Sequence, residues 1–218
     1  MITPDTFPQS KIADLAQRIA GLPKKPGRWL VAIAGAPAGG KSILAANVTA
    51  AVNEAGRSAR AIPMDGFHLD NEILAARGLL PRKGAPETFD ADGFIHLIRR
   101  LKDGGEVVYP LFDRSRDLAI AGAAVIEAEC DVAIIEGNYL LFNEAPWSAL
   151  APLWDLSVWL DTPGDVLRDR LVQRWLDHDH SPDAALARAE SNDLPNARRI
   201  LAACLPADVT FSLAESQG

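Results

Sequence analysis

The feature that most constrains this chain is residues 35–42, Gly-Ala-Pro-Ala-Gly-Gly-Lys-Ser, which follow the pattern G-x-x-x-x-G-K-[ST]. Such loops bind nucleotide phosphates, because their glycines let backbone N–H groups point at phosphate oxygens. The apolar run at residues 29–33 predicts a buried strand before the loop, and Leu44, Val48, Ala51 and Val52 recur at helical spacing after it. A Gly-rich turn that matched by accident would not carry this strand–loop–helix context. We therefore expect a nucleotide-binding site here.

Each part of this loop has a chemical task. Lys41 can reach the β- and γ-phosphates, and the Ser42 hydroxyl can bind Mg²⁺. The N-terminal end of the following helix adds partial positive charge. The expected nucleotide contacts within the loop are Gly35, Ala36, Ala38, Gly39, Gly40, Lys41 and Ser42.

The length and charge of the chain limit its organisation and its partners. At 218 residues it suits one α/β domain, so we expect residues 1–218 to form a single domain with an N-terminal helix within residues 1–27. The net charge of −7 gives no basic surface for a nucleic acid. We expect no nucleic-acid partner, and the phosphates of ATP must be held by local positive groups.

Apolar residues do not form a membrane-spanning run in this sequence. No window approaches the ~18 apolar residues that a span needs. Residues 1–27 lack the basic and apolar regions of a secretory signal, and Cys130 and Cys204 lie far apart beside apolar residues, which favours two buried, reduced thiols. We expect a cytoplasmic protein without a membrane partner, and its oligomeric state, a homodimer included, stays open. The N-terminal segment carries an amphipathic stripe of Ile12, Leu15, Ala16 and Ile19.

Two carboxylates follow predicted strands. Asp65 comes after the strand candidate at residues 58–63, and Glu136 ends the apolar run at residues 131–135. Ligand crevices of open α/β sheets lie at the carboxyl ends of the strands. Asp65 is a candidate base for a hydroxyl, a Mg²⁺ ligand or both, the alternative being a turn aspartate before glycine. Glu136 is a candidate for the Mg²⁺ shell, the alternative being a strand-end charge that meets solvent.

Further candidates lie in irregular segments and on one helix. Residues 81–90 predict a loop that either covers a substrate or merely connects. In residues 107–117, Asp113 and Arg114 are either substrate contacts or charges of a solvated edge or loop, and residues 123–126 look like a short strand. On the helix predicted after Asp161, Arg170 and Arg174 share one face and can neutralise a transferring phosphate. The alternative is a solvated face. His178 and His180 have no further clustered ligands and predict an exposed tip, not a metal site.

Five strand signals alternate with helices, which predicts a parallel sheet covered on both faces. Several motifs follow one another in a recognisable order: residues 35–42, 65–67, 110–113 and 134–137, and Asp161 followed by Arg170 and Arg174. This order resembles the phosphoribulokinase/uridine kinase family, which includes bacterial-type pantothenate kinases, and the resemblance spans residues 29–213. Three further stretches, residues 64–71, 83–90 and 192–196, are similar to a bacterial branch described as fructokinase-like or nucleoside/nucleotide kinase-like.

The resemblance implies a P-loop NTPase fold, a three-layer α/β/α arrangement with a mainly parallel five-stranded sheet and a helical lid at about residues 166–195. It implies a Mg·ATP-dependent kinase that transfers the γ-phosphoryl group to a hydroxyl of a small metabolite. Asp65, Lys41, Arg170 and Arg174 would be catalytic, and Ser42, Glu136 and Asp65 would organise Mg²⁺. The implied acceptor contacts are His68, Asp113, Arg114 and Tyr139, and Asn196 is placed near the adenine.

The chain also departs from its relatives. Uridine kinases carry a histidine, and pantothenate kinases a Tyr-Ser-His run, where this chain has Asp113-Arg-Ser-Arg116. The Phe-Asp-Arg-Ser string is similar to glycerate kinases. We expect a sugar or polyol acceptor, with uridine or another nucleoside, pantothenate and glycerate as alternatives. From a different class, a partner-driven P-loop NTPase stays open, although the Asn-Lys-x-Asp motif of guanine-specific switches is absent from the sequence.

Overall fold

A computed structural model of the chain describes residues 7–177 and 179–212. Its strands form one five-stranded sheet and one two-stranded sheet. The order in the larger sheet is β2-β5-β1-β6-β7, and every pairing in it is parallel. In chain order the strands are β1 Trp29–Gly35, β2 Ala59–Pro63, β3 Val107–Asp113, β4 Leu118–Ile126, β5 Val132–Gly137, β6 Leu156–Asp161 and β7 Val209–Ser212.

Seven α-helices and several short helical turns surround these strands within the described part of the chain. The 3₁₀ turn Met64–Phe67 directly follows β2, the 3₁₀ turn Trp147–Leu153 precedes β6, and a π-helical turn spans Ala189–Asp193. The α-helices are α1 Gln9–Ala20, α2 Lys41–Glu54, α3 Asn71–Ala76, α4 Ala91–Asp103, α5 Gly164–Leu176, α6 Pro182–Arg188 and α7 Leu194–Ala202.

The parallel sheet lies between two apolar layers, as predicted. Alternate residues of β1 and β5 point to opposite faces, so each strand contributes to both cores. On one face Val31 and Ile33 pack against α1 and α2; on the other, Leu30 and Ala32 pack against α4 and the Trp147–Leu153 turn. The predicted apolar stripe of α1 is buried, which confirms the N-terminal helix and its packing.

The two-stranded sheet differs from the sequence prediction. The sequence predicts a short strand only at residues 123–126, and it assigns Asp113 and Arg114 either to substrate contact or to a solvated edge or loop. Instead β3 and β4 pair antiparallel as a hairpin, with a register shift between Tyr109 and Leu111 beside Pro110. Small residues of β4 left few bulky side chains to reveal the strand, and its partner was not readable from either segment alone.

The lid segment, defined as residues 166–195, contains most of α5, all of α6 and the π turn. Ser181 caps α6 by accepting a hydrogen bond from the amide of Ala184. The predicted exposed tip includes His178, which lies outside the described residues. Cys130 is buried and Cys204 half-buried, and both are free thiols, so the expected burial holds fully only for Cys130. In the part of the chain that the structure describes, no helix is long and apolar enough to cross a membrane.

Candidate active site

A cavity of about 710 Å³ opens at the carboxyl ends of the parallel strands. It lies between the loop after β1, the 3₁₀ turn after β2, the end of β5 and the lid segment. The strand order explains this position. β1 is the central strand; β2 and β5 lie on one side of it, and β6 and β7 lie on the other. Where the connections from neighbouring strands run to opposite sides in this way, a crevice forms at the carboxyl ends of the strands. The lining includes Lys41, Ser42, Asp65, Glu136 and Arg174, so the fold brings most of the predicted catalytic residues together.

The backbone of the loop at residues 35–42 has the geometry of a phosphate cradle. Gly40 precedes α2 with a φ of 98°, a left-handed conformation that glycine adopts without steric cost. A Cβ on Gly39 would lie 3.0 Å from the carbonyl oxygen of Ala36, a contact so close that a larger residue would require the loop to shift. The loop thereby presents backbone amides and the amino end of a 14-residue helix to the cavity.

Lys41 is buried, and its ammonium donates a hydrogen bond to the Ala36 carbonyl oxygen at 2.8 Å. Burial lowers the pKa of Lys41 to about 8, although the nearby carboxylates of Glu136 and Asp65 act in the opposite direction. The ammonium is thus held in the loop by a single neutral acceptor. A phosphate oxygen can replace that acceptor and would favour the charged form of Lys41 further.

Ser42 and Glu136 form the candidate magnesium site. The Ser42 hydroxyl donates to the Glu136 carboxylate at 2.9 Å, which joins the start of α2 to the end of β5. Burial, and next the Asp65 charge, raise the pKa of Glu136. Among residues 7–177 and 179–212 there is no cluster of three or more His, Cys, Asp or Glu side chains fit for a metal. One hydroxyl and one or two carboxylates suit Mg²⁺, which is usually bound with waters and substrate phosphates.

Asp65 lies in the 3₁₀ turn after β2 and faces the same cavity. The Arg114 guanidinium donates to its carboxylate at 2.7 Å, although Arg114 itself is 62% exposed. This pair joins the turn after β2 to the β3–β4 hairpin. Asp65 therefore has a carboxylate oriented by one cation and available to a ligand on its other lone pairs.

His68 lines the cavity three residues after Asp65. Its ring is packed between Phe89 and Phe112, with centroid distances of 4.0 and 4.6 Å. Nδ1 donates to the Asp65 carbonyl oxygen at 2.8 Å, a bond that leaves Nε2 as the acceptor nitrogen of a neutral ring. Burial lowers the pKa of His68, which agrees with that neutral form.

The two lid arginines occupy different places. Arg174 lines the cavity beside Trp175, and its Nε is buried without a hydrogen-bond partner among the described residues. Such an orphan donor can be satisfied by a ligand oxygen. Arg170 instead donates to the Gly39 carbonyl oxygen at 3.2 Å and to that of Ala38 at 3.5 Å, and so contacts the phosphate loop from behind.

Three further predicted residues make protein contacts. The Asp113 carboxylate accepts from Ser115 and Arg116 in the hairpin turn and lies outside the cavity lining. Tyr139 is fully buried against Trp147, and its hydroxyl donates to the Gly84 carbonyl oxygen. Asn196 does line the cavity, where its amide contacts Asn192 and Arg82 near the 80–88 loop. The proposed acceptor roles of Asp113 and Tyr139 and the adenine role of Asn196 remain predictions.

Sequence reasoning did not single out several residues that line the cavity. Lys83 and Asp117 come from two loops that are distant in sequence and meet at one end of it. Trp175 and Arg188 come from the lid segment, where the arginine lies over the tryptophan ring. The signal for Lys83 was present: it is a charged residue beside glycine within the loop at residues 81–90.

Comparisons with known proteins show the family of the chain. Residues 30–188 match the phosphoribulokinase/uridine kinase family. The Schizosaccharomyces pombe protein named "Putative uridine kinase C227.14" is 36% identical over 200 residues, covering 86% of this chain and 84% of its own. The Myxococcus xanthus pantothenate kinase is 29% identical over 157 residues; the match covers 68% of this chain but only half of that protein.

A solved structure is similar over nearly its whole length. The protein from Silicibacter sp. TM1040, described as a "putative fructose transport system kinase", superposes with a TM-score of 0.89 at 57% identity, covering 92% of this chain and 98% of that one. The matched residues carry the phosphate loop, the two strand-end carboxylates and the arginines of α5. The chain therefore belongs to the phosphoribulokinase/uridine kinase family of P-loop kinases, enzymes that phosphorylate a hydroxyl group of a small metabolite.

Proposed function

We propose that this protein is a Mg·ATP-dependent kinase whose acceptor is a sugar or a polyol, with D-fructose as the first candidate. The observation that carries the proposal is the meeting of two sets of residues in one cavity. Lys41, Ser42 and Glu136 form a site for phosphates and Mg²⁺, and the Asp65 carboxylate, oriented by Arg114, faces the same space.

On the nucleotide side, the loop amides and the Lys41 ammonium would bind the phosphates of ATP. Ser42 and Glu136 would hold Mg²⁺, which supplies neutralisation of charge on the β- and γ-phosphate oxygens when it is bound. Lys41 would exchange its bond to the Ala36 carbonyl oxygen for a phosphate oxygen. The Ser42 hydroxyl, which now donates to Glu136, is already placed beside the carboxylate with which it would share the ion.

On the acceptor side, Asp65 would accept the proton of the attacking hydroxyl. Arg114 keeps the carboxylate directed into the cavity, and a base within hydrogen-bond reach of the hydroxyl typically accelerates a reaction 10²–10⁴-fold. Arg174 would neutralise charge on the transferring group through its unpartnered Nε, and Arg170 would support the loop carbonyls behind it. The lid segment would exclude water, which otherwise competes with the acceptor.

Two observations favour a sugar or polyol over a nucleoside or pantothenate. The similar Silicibacter structure is described as a putative fructose transport system kinase. The hairpin turn that contains Arg114 also lacks the histidine and Tyr-Ser-His patterns expected of uridine and pantothenate kinases.

The test is ADP release from Mg·ATP across sugars, polyols, glycerate, pantothenate and nucleosides. A sugar or polyol that raises the rate far above the acceptor-free rate is expected. A nucleoside, pantothenate or glycerate as the best acceptor would contradict the proposed acceptor and leave the kinase chemistry standing. Hydrolysis that no acceptor stimulates would favour the partner-driven NTPase instead.

A further inference from the structure

Three polar side chains at one end of the cavity form a cluster outside the proposed catalytic set. Asn71 begins α3, Lys83 lies in the loop before α4, and Asp117 lies in the β3–β4 turn. Lys83 and Asp117 line the cavity, next to His68 and Phe112. We call Asn71, Lys83 and Asp117 the Asp117 cluster.

Lys83 has no proton left for a ligand in this arrangement. Its ammonium donates to the Asn71 side-chain oxygen at 2.6 Å, to the Asp117 backbone carbonyl oxygen at 3.0 Å and to the Asp117 carboxylate at 2.9 Å. A lysine ammonium has three donors, and these contacts use all of them. Its side chain is only 12% exposed. Lys83 is therefore a positioning residue and does not attract a free anion.

Asp117, by contrast, keeps acceptor capacity. Asn71 donates to one of its carboxylate oxygens at 2.8 Å and Lys83 to the other, while a carboxylate offers about four lone-pair positions. More than half of the side chain is exposed. Burial alone would raise the pKa of Asp117, but the hydrogen bonds from Asn71 and Lys83 outweigh it and the pKa is lowered. The carboxylate is thus charged and fixed in orientation.

The neighbouring groups have the same hydrogen-bonding character. His68 presents Nε2 as an acceptor, because its Nδ1 is engaged with the Asp65 carbonyl oxygen. The Asp65 carboxylate is an acceptor, and its cation, Arg114, is paired with it. Arg114 gives one of its five N–H donors to Asp65, whereas Lys83 beside Asp117 has none left. At Asp117 a hydroxyl can therefore donate, whereas a carboxylate or phosphate on the acceptor would meet negative charge.

On the basis of the proposed function, we propose that the Asp117 cluster recognises the acceptor. The Asp117 carboxylate, which Lys83 and Asn71 position, accepts hydrogen bonds from the hydroxyl groups of the acceptor. The site thereby selects a neutral polyhydroxylated molecule over an anionic one. Asp117 is the specificity-determining residue in this arrangement. It has a φ of 54°, which Asn tolerates well, so Asp117→Asn removes the charge while it keeps the turn.

The first experiment compares matched neutral and anionic acceptors with Mg·ATP: D-fructose with D-fructose 6-phosphate, glycerol with glycerate, and panthenol with pantothenate. In each pair that reacts, the neutral member should have the higher kcat/KM by about tenfold or more, because the anionic member would meet the negative charge of Asp117. A preference for the anionic members would overturn the inference.

The second experiment measures Asp117→Asn with the best neutral acceptor. The acceptor KM should rise about 10- to 100-fold, as expected for the loss of a hydrogen bond to a charged group, with kcat and the ATP KM nearly unchanged. Asp14→Asn, the same substitution on the exposed side of α1, is the matched control and should change nothing. Deoxy analogues of the acceptor distinguish a direct contact from a merely structural role. Removal of the contacted hydroxyl should raise the acceptor KM of the wild type but not that of Asp117→Asn.

The outcomes separate the two proposals. A sugar or polyol that is phosphorylated with the same KM by the wild type and by Asp117→Asn would overturn the inference alone. If no neutral sugar or polyol is phosphorylated while another acceptor is, the proposed acceptor fails, and the inference fails with it.

Discussion

Lys41 offers a quantitative prediction, because its ammonium is buried and its pKa lies near the working range. With a pKa of about 8, Lys41 is about nine-tenths protonated at pH 7 and about one-tenth protonated at pH 9. If Mg·ATP binds the protonated form, the Kd for ATP should rise about tenfold between these two pH values, which is about 1.4 kcal/mol of binding free energy. Near pH 8, binding should take up about half a proton, since the phosphates restore the charge that burial disfavours.

The assay is isothermal titration calorimetry with Mg·ATP at pH 7, 8 and 9, in pairs of buffers with different ionisation enthalpies. The observed enthalpy at pH 8 should depend on the buffer, and its slope gives the proton uptake. Lys41→Met is the control: it should bind more weakly and lose both the pH dependence and the buffer dependence. A Kd that stays flat from pH 7 to 9 in the wild type, with no buffer dependence, would refute a buried ammonium of lowered pKa as the phosphate ligand.

Three substitutions extend the test to the rest of the site. Asp65→Asn should lower kcat about 10²–10⁴-fold with little change in ATP affinity, because it removes the base and keeps the shape; near-normal turnover would exclude Asp65 as the base. Arg174→Ala should lower kcat by up to about 10³-fold and ATP affinity much less. The control is Arg168→Ala, which removes an exposed partner of Glu190 and should not change turnover. Equal turnover in the two variants would show that Arg174 has only a structural role. Tyr139→Phe should lower the free energy of unfolding, measured with urea, by about 1 kcal/mol, because it loses the bond to the Gly84 carbonyl oxygen; an unchanged stability would contradict that bond. The acceptor KM of the same variant tests the predicted acceptor contact of Tyr139.

The part of the site that is proposed to bind the nucleotide could be predicted from the sequence, for a physical reason. Buried parallel strands read as continuous apolar runs, and the residue that ends such a run lies at the edge of the sheet where the crevice forms. This places Ser42 and Glu136 together although they are 94 residues apart in the chain. The same argument places Asp65, whose turn follows directly from β2.

The part of the site that is proposed to bind the acceptor could not be predicted from the sequence in this way. Asn71, Lys83 and Asp117 come from three irregular segments, and their meeting depends on how the β3–β4 hairpin packs, a hairpin that the sequence did not reveal. Tyr139 follows Glu136 closely, and its ring packs into the core against Trp147. Its acceptor contact stays a prediction.

We propose that this chain transfers the γ-phosphoryl group of ATP to a hydroxyl of a neutral sugar or polyol. The most direct measurement follows γ-³²P-labelled ATP with the wild type and with Asp65→Asn, in the presence of Mg²⁺ and the best neutral acceptor. We expect one labelled acceptor phosphate for each ADP formed by the wild type, and almost none with the variant. Label that appears as inorganic phosphate at the same rate with and without acceptor would contradict the claim.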